Sequence, residues 1–188
     1  MYLNLYTSFS NCVDSMVIYQ ADRNIINKDV KMRLVLFQPD IAQNTGTMMR
    51  LCACVDLGID IIEPCGFIFN DKAMRRAGMD YLDMVEYRRH NSWDDFLKYR
   101  EEHKDEYGRI VLMTTKASVP YTDFEFKEND IILMGRESAG VPDDVHKIVD
   151  ARIIIPMNEK ARSINVAVSA TMVVGEALRQ CKLFPKMK

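Results

Sequence analysis

Short apolar runs alternate with longer segments of helical periodicity along most of the chain, from Met32 onward. Several of the short runs are almost entirely apolar, which is typical of strands buried on both faces of a parallel sheet. The predicted strands are 32–37, 59–62, 84–87, 109–113, 130–134 and 152–155. This alternation predicts an α/β fold with a mainly parallel sheet and helices on both of its faces.

The segments between the strands carry helix signals. Gly58 is predicted to close the first helix, after an apolar stripe at helical spacing. The stripe consists of Met48, Leu51, Cys52 and Val55. Ser92 and Asp95 resemble a capping box before the second helix. A proline suits the first turn of a short helix over 142–148, and the last helix is predicted over about 163–181.

Residues 1–31 lack the clear periodicity of the rest. We predict that they form an N-terminal extension and that residues 32–188 form one domain with its own core. No apolar run approaches the roughly 20 residues of a membrane span, and the N-terminus lacks the pattern of a secretory signal. We therefore expect a cytoplasmic protein without membrane contact.

Composition narrows the chemistry further. The chain is 48% apolar and 28% charged, and its net charge is −2, so any contact with RNA must come from local basic patches. The five cysteines lack paired spacing and the three histidines are scattered, so we expect no metal site. The sequence offers no base partner for a cysteine nucleophile, and the free thiols fit a reducing compartment.

The stretch "IILMGRESAGVP" (131–142) is predicted to be a buried strand followed by a loop with two glycines, Gly135 and Gly140. Glycine leaves room for a ligand and permits positive φ, although a tight strand-to-helix turn is the alternative. Ligands of parallel sheets bind beyond the carboxyl ends of the strands. The loop after the first strand, "QPDIAQNTGTMMR", has no dinucleotide fingerprint, so a cofactor site is predicted late in the chain.

Three segments stand in order along the chain: "PDIAQNTGTMMRLC" (39–52), "LMGRESAGVP" (133–142) and "IPMNEKARSINVAVSATMVVGEALRQ" (155–180). They resemble the three signature motifs of the SPOUT superfamily of RNA methyltransferases. The segment "IIEPCGFIFNDKAMRRAGMDYLD" (61–83) is similar to the TrmL branch of that superfamily, the tRNA (cytidine(34)-2'-O)-methyltransferases. The resemblance covers about Met32 to Gln180.

The resemblance implies a C-terminal deep trefoil knot, a homodimer that shares its active site, and S-adenosylmethionine as the cofactor. It also implies an enzyme that methylates the ribose 2'-hydroxyl at the wobble position of tRNA, within the anticodon stem-loop. The cofactor residues that it implies are Met113, Gly135, Ile155, Met157 and Ser163. A Cβ at Gly135 would intrude on the adenosine; plain core packing is the alternative for Met113 and Ile155.

Arg50 is the implied catalytic residue, near the target ribose and its phosphate. It is predicted to lie in the first turns of a helix that begins near residues 45–47, where the helix dipole disfavours a cation. In such enzymes this arginine has been regarded as helping to deprotonate the 2'-hydroxyl. A guanidinium stays protonated at neutral pH, so it could instead bind phosphate and stabilise a developing alkoxide. An exposed, solvated arginine is the alternative.

The resemblance also implies RNA contacts by Asn44, Arg75, Arg76 and Arg162; helix capping is the alternative for Asn44, and mere solvation for the paired arginines. The third segment departs from the S-[LM]-N-[LV]-S of many relatives, because Ala167 stands where a serine is expected. Two further functions remain open: a SPOUT 2'-O-methyltransferase for another RNA site, and a nucleotide-binding module without catalysis.

Overall fold

The computed structural model describes residues 32–70 and 81–186. Within them six strands form one sheet in the order β3-β2-β1-β5-β4-β6, and every neighbouring pair is parallel. The strands are β1 (Arg33–Phe37), β2 (Gly58–Ile62), β3 (Tyr87–His90), β4 (Ile110–Met113), β5 (Ile131–Met134) and β6 (Ala151–Ile153). The parallel α/β fold predicted from the apolar runs is confirmed.

The described residues also form four α-helices and one 3-10 turn. They are α1 (Ala42–Val55), the 3-10 turn Leu82–Met84, α2 (Trp93–Glu102), α3 (Asp143–Ile148) and α4 (Val166–Cys181). The predicted cap of α2 is confirmed, since Ser92 Oγ accepts a hydrogen bond of 3.1 Å from the backbone N–H of Asp95. No helix in the described part of the chain is long and apolar enough to cross a bilayer.

Alternate residues of each strand point to opposite faces of the sheet, so the core has two halves. Leu34, Ile132 and their counterparts pack under α1 and α4. Val35, Leu133 and their counterparts pack under α2 and α3, around the fully buried ring of Phe96. The sheet is therefore covered on both sides, which explains why its central strands are almost continuously apolar.

The strand order places a topological switch point between β1 and β5. From β1 the chain builds outward to β2 and β3, whereas β5 and β4 lie on the other side of β1. The helix that follows β1 packs on one face of the sheet, and α3, which follows β5, packs on the other. The two loops diverge at the carboxyl ends of their strands, which leaves a crevice of the kind in which α/β proteins bind ligands.

The prediction of a strand at 84–87 is wrong by about three residues. Residues 82–84 form the 3-10 turn, and β3 covers residues 87–90, which read Y-R-R-H. The arginines of this edge strand interrupt the apolar pattern by which a strand is predicted. The strand can carry them because their charges are paired. Arg89, for example, lies 2.6 Å from a carboxylate oxygen of Glu63, and its guanidinium carbon lies 4.8 Å from the ring centroid of Phe69.

The prediction that Gly58 closes α1 is also wrong. Asp56, in the left-handed conformation, ends the helix and donates its backbone N–H to the carbonyl of Cys52. Gly58 instead opens β2, where an added Cβ would lie 2.2 Å from Nη1 of Arg33. The glycine leaves space for a buried guanidinium.

That guanidinium belongs to a network of polar side chains on the α2 face of the sheet. Arg33 Nε donates to Oδ2 of Asp60 at 2.5 Å, and its Nη1 donates to Glu86 at 3.2 Å. Oδ1 of Asp60 accepts from the hydroxyl of Tyr107 and lies 2.7 Å from Nε2 of His90. Burial alone raises the pKa of Asp60, but the charge of Arg33 and the hydrogen bond with His90 outweigh it and hold that pKa below its ordinary value.

The trefoil knot does not follow from the strand order and stays a prediction. Residues 1–31, predicted to be an extension, lie outside the described residues.

We predict that Asp60→Asn lowers the free energy of unfolding by about 3–5 kcal/mol, because it removes the buried counter-charge of Arg33 and leaves only the weaker contact with Glu86. The contribution of Asp60 is fully present above the unfolded pKa of about 4 and is lost as the pH falls through the lower folded pKa. The difference from wild type, measured by urea unfolding, should therefore narrow as the pH drops below about 4. Glu86→Gln is the matched control, and its half-exposed side chain should cost far less. Equal losses for the two variants would contradict the prediction.

Candidate active site

The crevice between β1 and β5 opens into a cavity of about 310 Å³. Its walls come from the loop after β1, the ends of β4 and β5, and the segment that enters α4. The lining residues include Ile41, Asn44, Met113, Gly135, Glu137, Gly140, Ser163, Asn165 and Ser169. The three segments singled out in the sequence thus meet at one cavity, where Asn44 and Asn165 form a hydrogen bond although they are 121 positions apart along the chain.

The loop after β5 is closed by its own backbone. Arg136 and Gly140 exchange two hydrogen bonds, of 3.0 Å and 2.9 Å, and Gly140 has a φ of 69°. A Cβ added at Gly135 would lie 2.7 Å from the carbonyl carbon of Gly140. Gly135 does line the cavity, but the nearest obstacle to a side chain is the loop itself. The tight-turn interpretation and the ligand interpretation of this glycine therefore both apply.

Two carboxylates join this loop to the loop after β1. Asp40 accepts hydrogen bonds from the guanidinium of Arg136 at 2.8 Å and from the hydroxyl of Ser138 at 2.6 Å. These hydrogen bonds lower the pKa of Asp40 to about 2. In return, Glu137 accepts from the backbone N–H of Asp40 at 2.8 Å. Glu137 also places negative charge at the N-terminal end of α1, where the helix dipole favours it.

A chain of side-chain amides extends these contacts to the third segment. Asn44 Nδ2 donates to Oε1 of Glu137 at 2.9 Å, and Asn44 Oδ1 accepts from Nδ2 of Asn165 at 3.1 Å. Asn44 is the third residue of α1 and does not cap it, because Ile41 occupies the cap position. Asn44 therefore joins the first segment to the other two, whereas its contact with RNA stays a prediction.

Helix α4 begins three residues later than predicted, at Val166 rather than at Ser163. Asn165 caps it, since its Oδ1 accepts from the backbone N–H of Ala167 at 2.9 Å and of Val168 at 3.3 Å. Ser163 lies in the segment before the helix, exposed and at the wall of the cavity. It cannot supply the hydrogen bonds of a helix cap from that position.

The other predicted cofactor residues divide into two groups. Met113, at the end of β4, lines the cavity and is half-buried. Ile155 is only 3% exposed and packs in the core under α1 and α4, so its side chain is not part of the cavity wall. Met157 is half-buried in the segment between β6 and α4 and is likewise absent from the wall. A role for these last two through their backbone groups stays a prediction.

A hydroxyl that the sequence reasoning passed over lies in the first turn of α4. Ser169 is 1% exposed, lines the cavity, and its Oγ has no hydrogen-bond partner among the described residues. An unpaired buried hydroxyl is unfavourable, and such groups are uncommon in proteins. Ala167, the departure from the motif, is buried in the core and does not line the cavity.

Arg50 lies on the exposed side of α1, in its third turn, because the helix begins at Ala42 and not near residues 45–47 as predicted. The expected conflict with the N-terminal end of the helix dipole is therefore weak, since that effect falls off within the first turn. The Cζ atom of Arg50 lies 4.5 Å from the ring centroid of Tyr81.

Of the remaining residues predicted to contact RNA, the structure describes only Arg162. Arg162 is exposed, directly before Ser163 and thus beside the cavity. Arg75 and Arg76 lie outside the described residues. Within residues 32–70 and 81–186 no cluster of three or more histidine, cysteine, aspartate or glutamate side chains could hold a metal ion.

Sequence reasoning missed the residues that hold the loops together, namely Asp40, Glu137 and Asn165, as well as Ser169. One signal was available for the first three: each is a polar residue in a loop at the carboxyl end of a strand or just before a helix, where such side chains commonly bind backbone groups. For Ser169 the helical pattern gives no signal, because it occupies a position of the buried stripe of α4.

Comparison with known proteins agrees with the resemblance that the three segments indicate. A model of the SpoU rRNA Methylase family matches residues 31–175. A tRNA (cytidine(34)-2'-O)-methyltransferase of Beijerinckia indica is 56% identical over 154 residues, which are 82% of this chain and 94% of that protein. The protein of the same name from Escherichia coli is 34% identical over 151 residues, 79% of this chain and 93% of that protein.

Solved structures give the same result. A structure of a putative RNA methyltransferase from Bacillus anthracis matches with a TM-score of 0.74 and 33% identity, over 84% of this chain and 98% of that one. A structure from work on the 2-OH methylation of C/U34 on tRNA matches with a TM-score of 0.72 and 33% identity, over 79% and 95%. The resemblance read from the sequence is thereby confirmed.

We predict that Gly135→Ala lowers the free energy of unfolding by about 1–3 kcal/mol, because the added Cβ forces the loop away from Gly140. Gly140→Asn is the comparison: its Cβ would have open space, and asparagine tolerates a positive φ, so its cost should be small. Urea unfolding of both variants measures the difference. If Gly135→Ala were as stable as wild type, the collision within the loop would not be what requires glycine there.

Proposed function

This chain belongs to the SpoU methylase family, and on that premise we propose that it is a tRNA (cytidine(34)-2'-O)-methyltransferase. It transfers a methyl group from S-adenosylmethionine to the ribose 2'-hydroxyl of the wobble nucleotide, a cytidine or a modified uridine, in the anticodon stem-loop. The observation that carries the proposal is the meeting of the three motif segments at one cavity at the switch point of the sheet. We further propose that the reaction takes place in the cytoplasm.

The cavity fits the proposed cofactor. Its walls combine apolar side chains, such as Met113 and Val141, with the backbone of a glycine loop that a ligand can approach closely. Ser169 lines this cavity, and its buried Oγ has no hydrogen-bond partner among the described residues; a polar group of the cofactor would provide one. When bound, S-adenosylmethionine supplies a methyl group on a sulfonium centre, which is already activated for transfer.

The chain's own task is then to place the acceptor. Exposed Arg50 is the residue that we assign to the target nucleotide. Its planar group of N–H donors suits a phosphate next to the ribose, and its charge would stabilise the alkoxide that develops as the 2'-hydroxyl loses its proton. We assign Asn44, Arg75, Arg76 and Arg162 to further contacts with the RNA.

We also propose that the protein acts as a homodimer and that its C-terminal part is knotted, as in the superfamily that the motifs resemble. In support of a dimer, Val168 and Met172 are exposed apolar side chains one turn apart on α4, 50% and 37% accessible. They lie next to the segment that lines the cavity, so a second copy that covered them would bring its own residues close to the site.

Two alternatives differ from this proposal in what they would bind or modify. Another RNA site is compatible with the family, whose description names rRNA. A nucleotide-binding module without catalysis would have no need for a cavity together with an arginine exposed on the helix beside it. The relatives named for position 34 match over nearly their whole length, and this favours the tRNA wobble position.

The test is methyl transfer from labelled S-adenosylmethionine to bulk tRNA and to ribosomal RNA, with the modified nucleotide mapped by mass spectrometry of the digested product. We expect a single 2'-O-methylated nucleotide at position 34. A product at another position, or on ribosomal RNA, would support the first alternative. Cofactor binding without transfer to either RNA would support the second.

We predict that Ser169→Ala has opposite effects on the free and the cofactor-bound protein. It should leave the melting temperature of the free protein unchanged or higher, because it removes an unpaired buried hydroxyl. It should weaken cofactor binding about fivefold, the value of one neutral hydrogen bond of about 1 kcal/mol. Thr171→Val is the matched control, since that hydroxyl already donates to the carbonyl of Ala167 at 2.8 Å. Unchanged affinity of Ser169→Ala in calorimetry would remove Ser169 from the cofactor site.

We predict that Arg50→Ala lowers the rate of methyl transfer by at least the order of 10²-fold while cofactor affinity is unchanged, because one preorganised electrostatic contact is lost. Arg50→Lys separates two mechanisms, since lysine gives up a proton more readily near neutral pH but lacks the planar group of donors. Recovery of activity with lysine would favour proton transfer, and failure would favour bidentate binding of phosphate. A rate for Arg50→Ala within a few-fold of wild type would contradict any catalytic role.

A further inference from the structure

We propose that Arg136 binds the α-carboxylate of S-adenosylmethionine and so fixes the amino acid end of the cofactor; this inference rests on the proposed function. That end of the cofactor carries one carboxylate and one ammonium group. Among the described residues that line the cavity, Arg136 has the one cationic side chain and Glu137 the one carboxylate. Two adjacent residues of the wall therefore present one charge of each sign, which is complementary to the two charges of an amino acid.

The guanidinium of Arg136 is held in place before any ligand binds. Its Nη2 and Nε both donate to Oδ1 of Asp40, at 2.8 Å and 3.3 Å, and its Nη1 donates to Oε1 of Gln38 at 3.4 Å. Both partners belong to the loop after β1. A long side chain that is already restrained loses less conformational entropy when a ligand binds to it.

The contact with Asp40 does not use all the donors of Arg136. A guanidinium carries five N–H groups, and the three hydrogen bonds to Asp40 and Gln38 leave two of them for a ligand. Asp40 in turn shares its charge with the backbone N–H and the hydroxyl of Ser138, at 3.1 Å and 2.6 Å. The side chain of Arg136 is still 36% exposed, so a second carboxylate can reach it and accept charge-assisted hydrogen bonds.

Glu137 makes the recognition directional. One of its carboxylate oxygens accepts from Nδ2 of Asn44 at 2.9 Å, and the other accepts from the backbone N–H of Asp40 at 2.8 Å. Each carboxylate oxygen has two lone pairs, so each can accept one further hydrogen bond. An ammonium group needs acceptors and a carboxylate needs donors. The ammonium of the cofactor is therefore drawn to Glu137, and its carboxylate to Arg136.

The experiment compares two ligands by calorimetry, with no RNA present. S-adenosylhomocysteine and 5'-methylthioadenosine share the adenosine and a neutral sulfur, but only the first has an amino acid end. Arg136→Gln should weaken the binding of S-adenosylhomocysteine about tenfold, because charge-assisted hydrogen bonds are lost, and should leave 5'-methylthioadenosine unchanged. An equal loss for both ligands would show that Arg136 only shapes the loop, and no loss for either would remove it from the site. Both results would overturn the proposal.

Ser138→Ala is the matched control. It removes a hydrogen bond to the same carboxylate from the same loop, but Ser138 does not line the cavity. Any effect of this variant should be shared by the two ligands, so the ratio of their affinities should stay that of the wild type. If Ser138→Ala lowered the ratio as Arg136→Gln does, the selectivity would come from the loop around Asp40, and the proposal would fall.

Decarboxylated S-adenosylmethionine tests which charge is recognised, because it keeps the ammonium group and lacks the carboxylate. Arg136→Gln should not change its affinity, whereas that of S-adenosylmethionine should fall about tenfold. A tenfold loss for the decarboxylated ligand would overturn the assignment of Arg136 to the carboxylate. These binding results are independent of the reaction: a wild type that shows the expected pattern but transfers no methyl group to tRNA would reject the proposed function and retain the site at Arg136.

Discussion

The side-chain oxygen of Asn165 accepts hydrogen bonds from two backbone amides at the start of α4, which leaves only the NH₂ group of that side chain to face Asn44. Asn44 must then present its oxygen to Asn165 and its own NH₂ group to Glu137. Each hydrogen bond in this series fixes the orientation of the next side-chain amide, from the N-terminal end of α4 to the carboxylate of Glu137. The geometry of the three loops around the cavity depends on these side-chain hydrogen bonds, because the loops themselves lie outside the helices and strands.

Charge is used in two different ways in this fold. Arg33 and Asp60 are buried against each other, His90 and Tyr107 contact the carboxylate of Asp60, and the role of this network is to stabilise the sheet under α2. At the cavity, Asp40 instead holds the neighbouring loop, because it accepts hydrogen bonds from Arg136 and Ser138. These charges are neutralised within the fold. The guanidinium of Arg50, by contrast, lies on the exposed side of α1, over the ring of Tyr81.

These two uses explain what the sequence could predict. Apolar runs predict β1, β4 and β5 because a strand buried on both faces is apolar along its whole length. They do not predict β3, whose arginines are paired with carboxylates of other segments. Gly135 stands out in the sequence, but the reason for it, the backbone of Gly140, is visible only in the folded loop. The bond between Asp40 and Glu137 joins residues 97 positions apart, and no local pattern encodes it.

The cavity has neither a phosphate-cradling glycine motif nor a cluster of metal ligands among the described residues, and the proposed reaction explains why neither is needed. A sulfonium centre leaves as a neutral thioether, so the protein has no developing negative charge to stabilise on the donor side. The remaining demands lie on the acceptor side: the acceptor oxygen, the methyl carbon and the leaving sulfur must lie in line, and the alkoxide that develops needs a positive charge nearby. A cavity whose loops are held together by hydrogen bonds suits the first demand, and the charge of Arg50 suits the second.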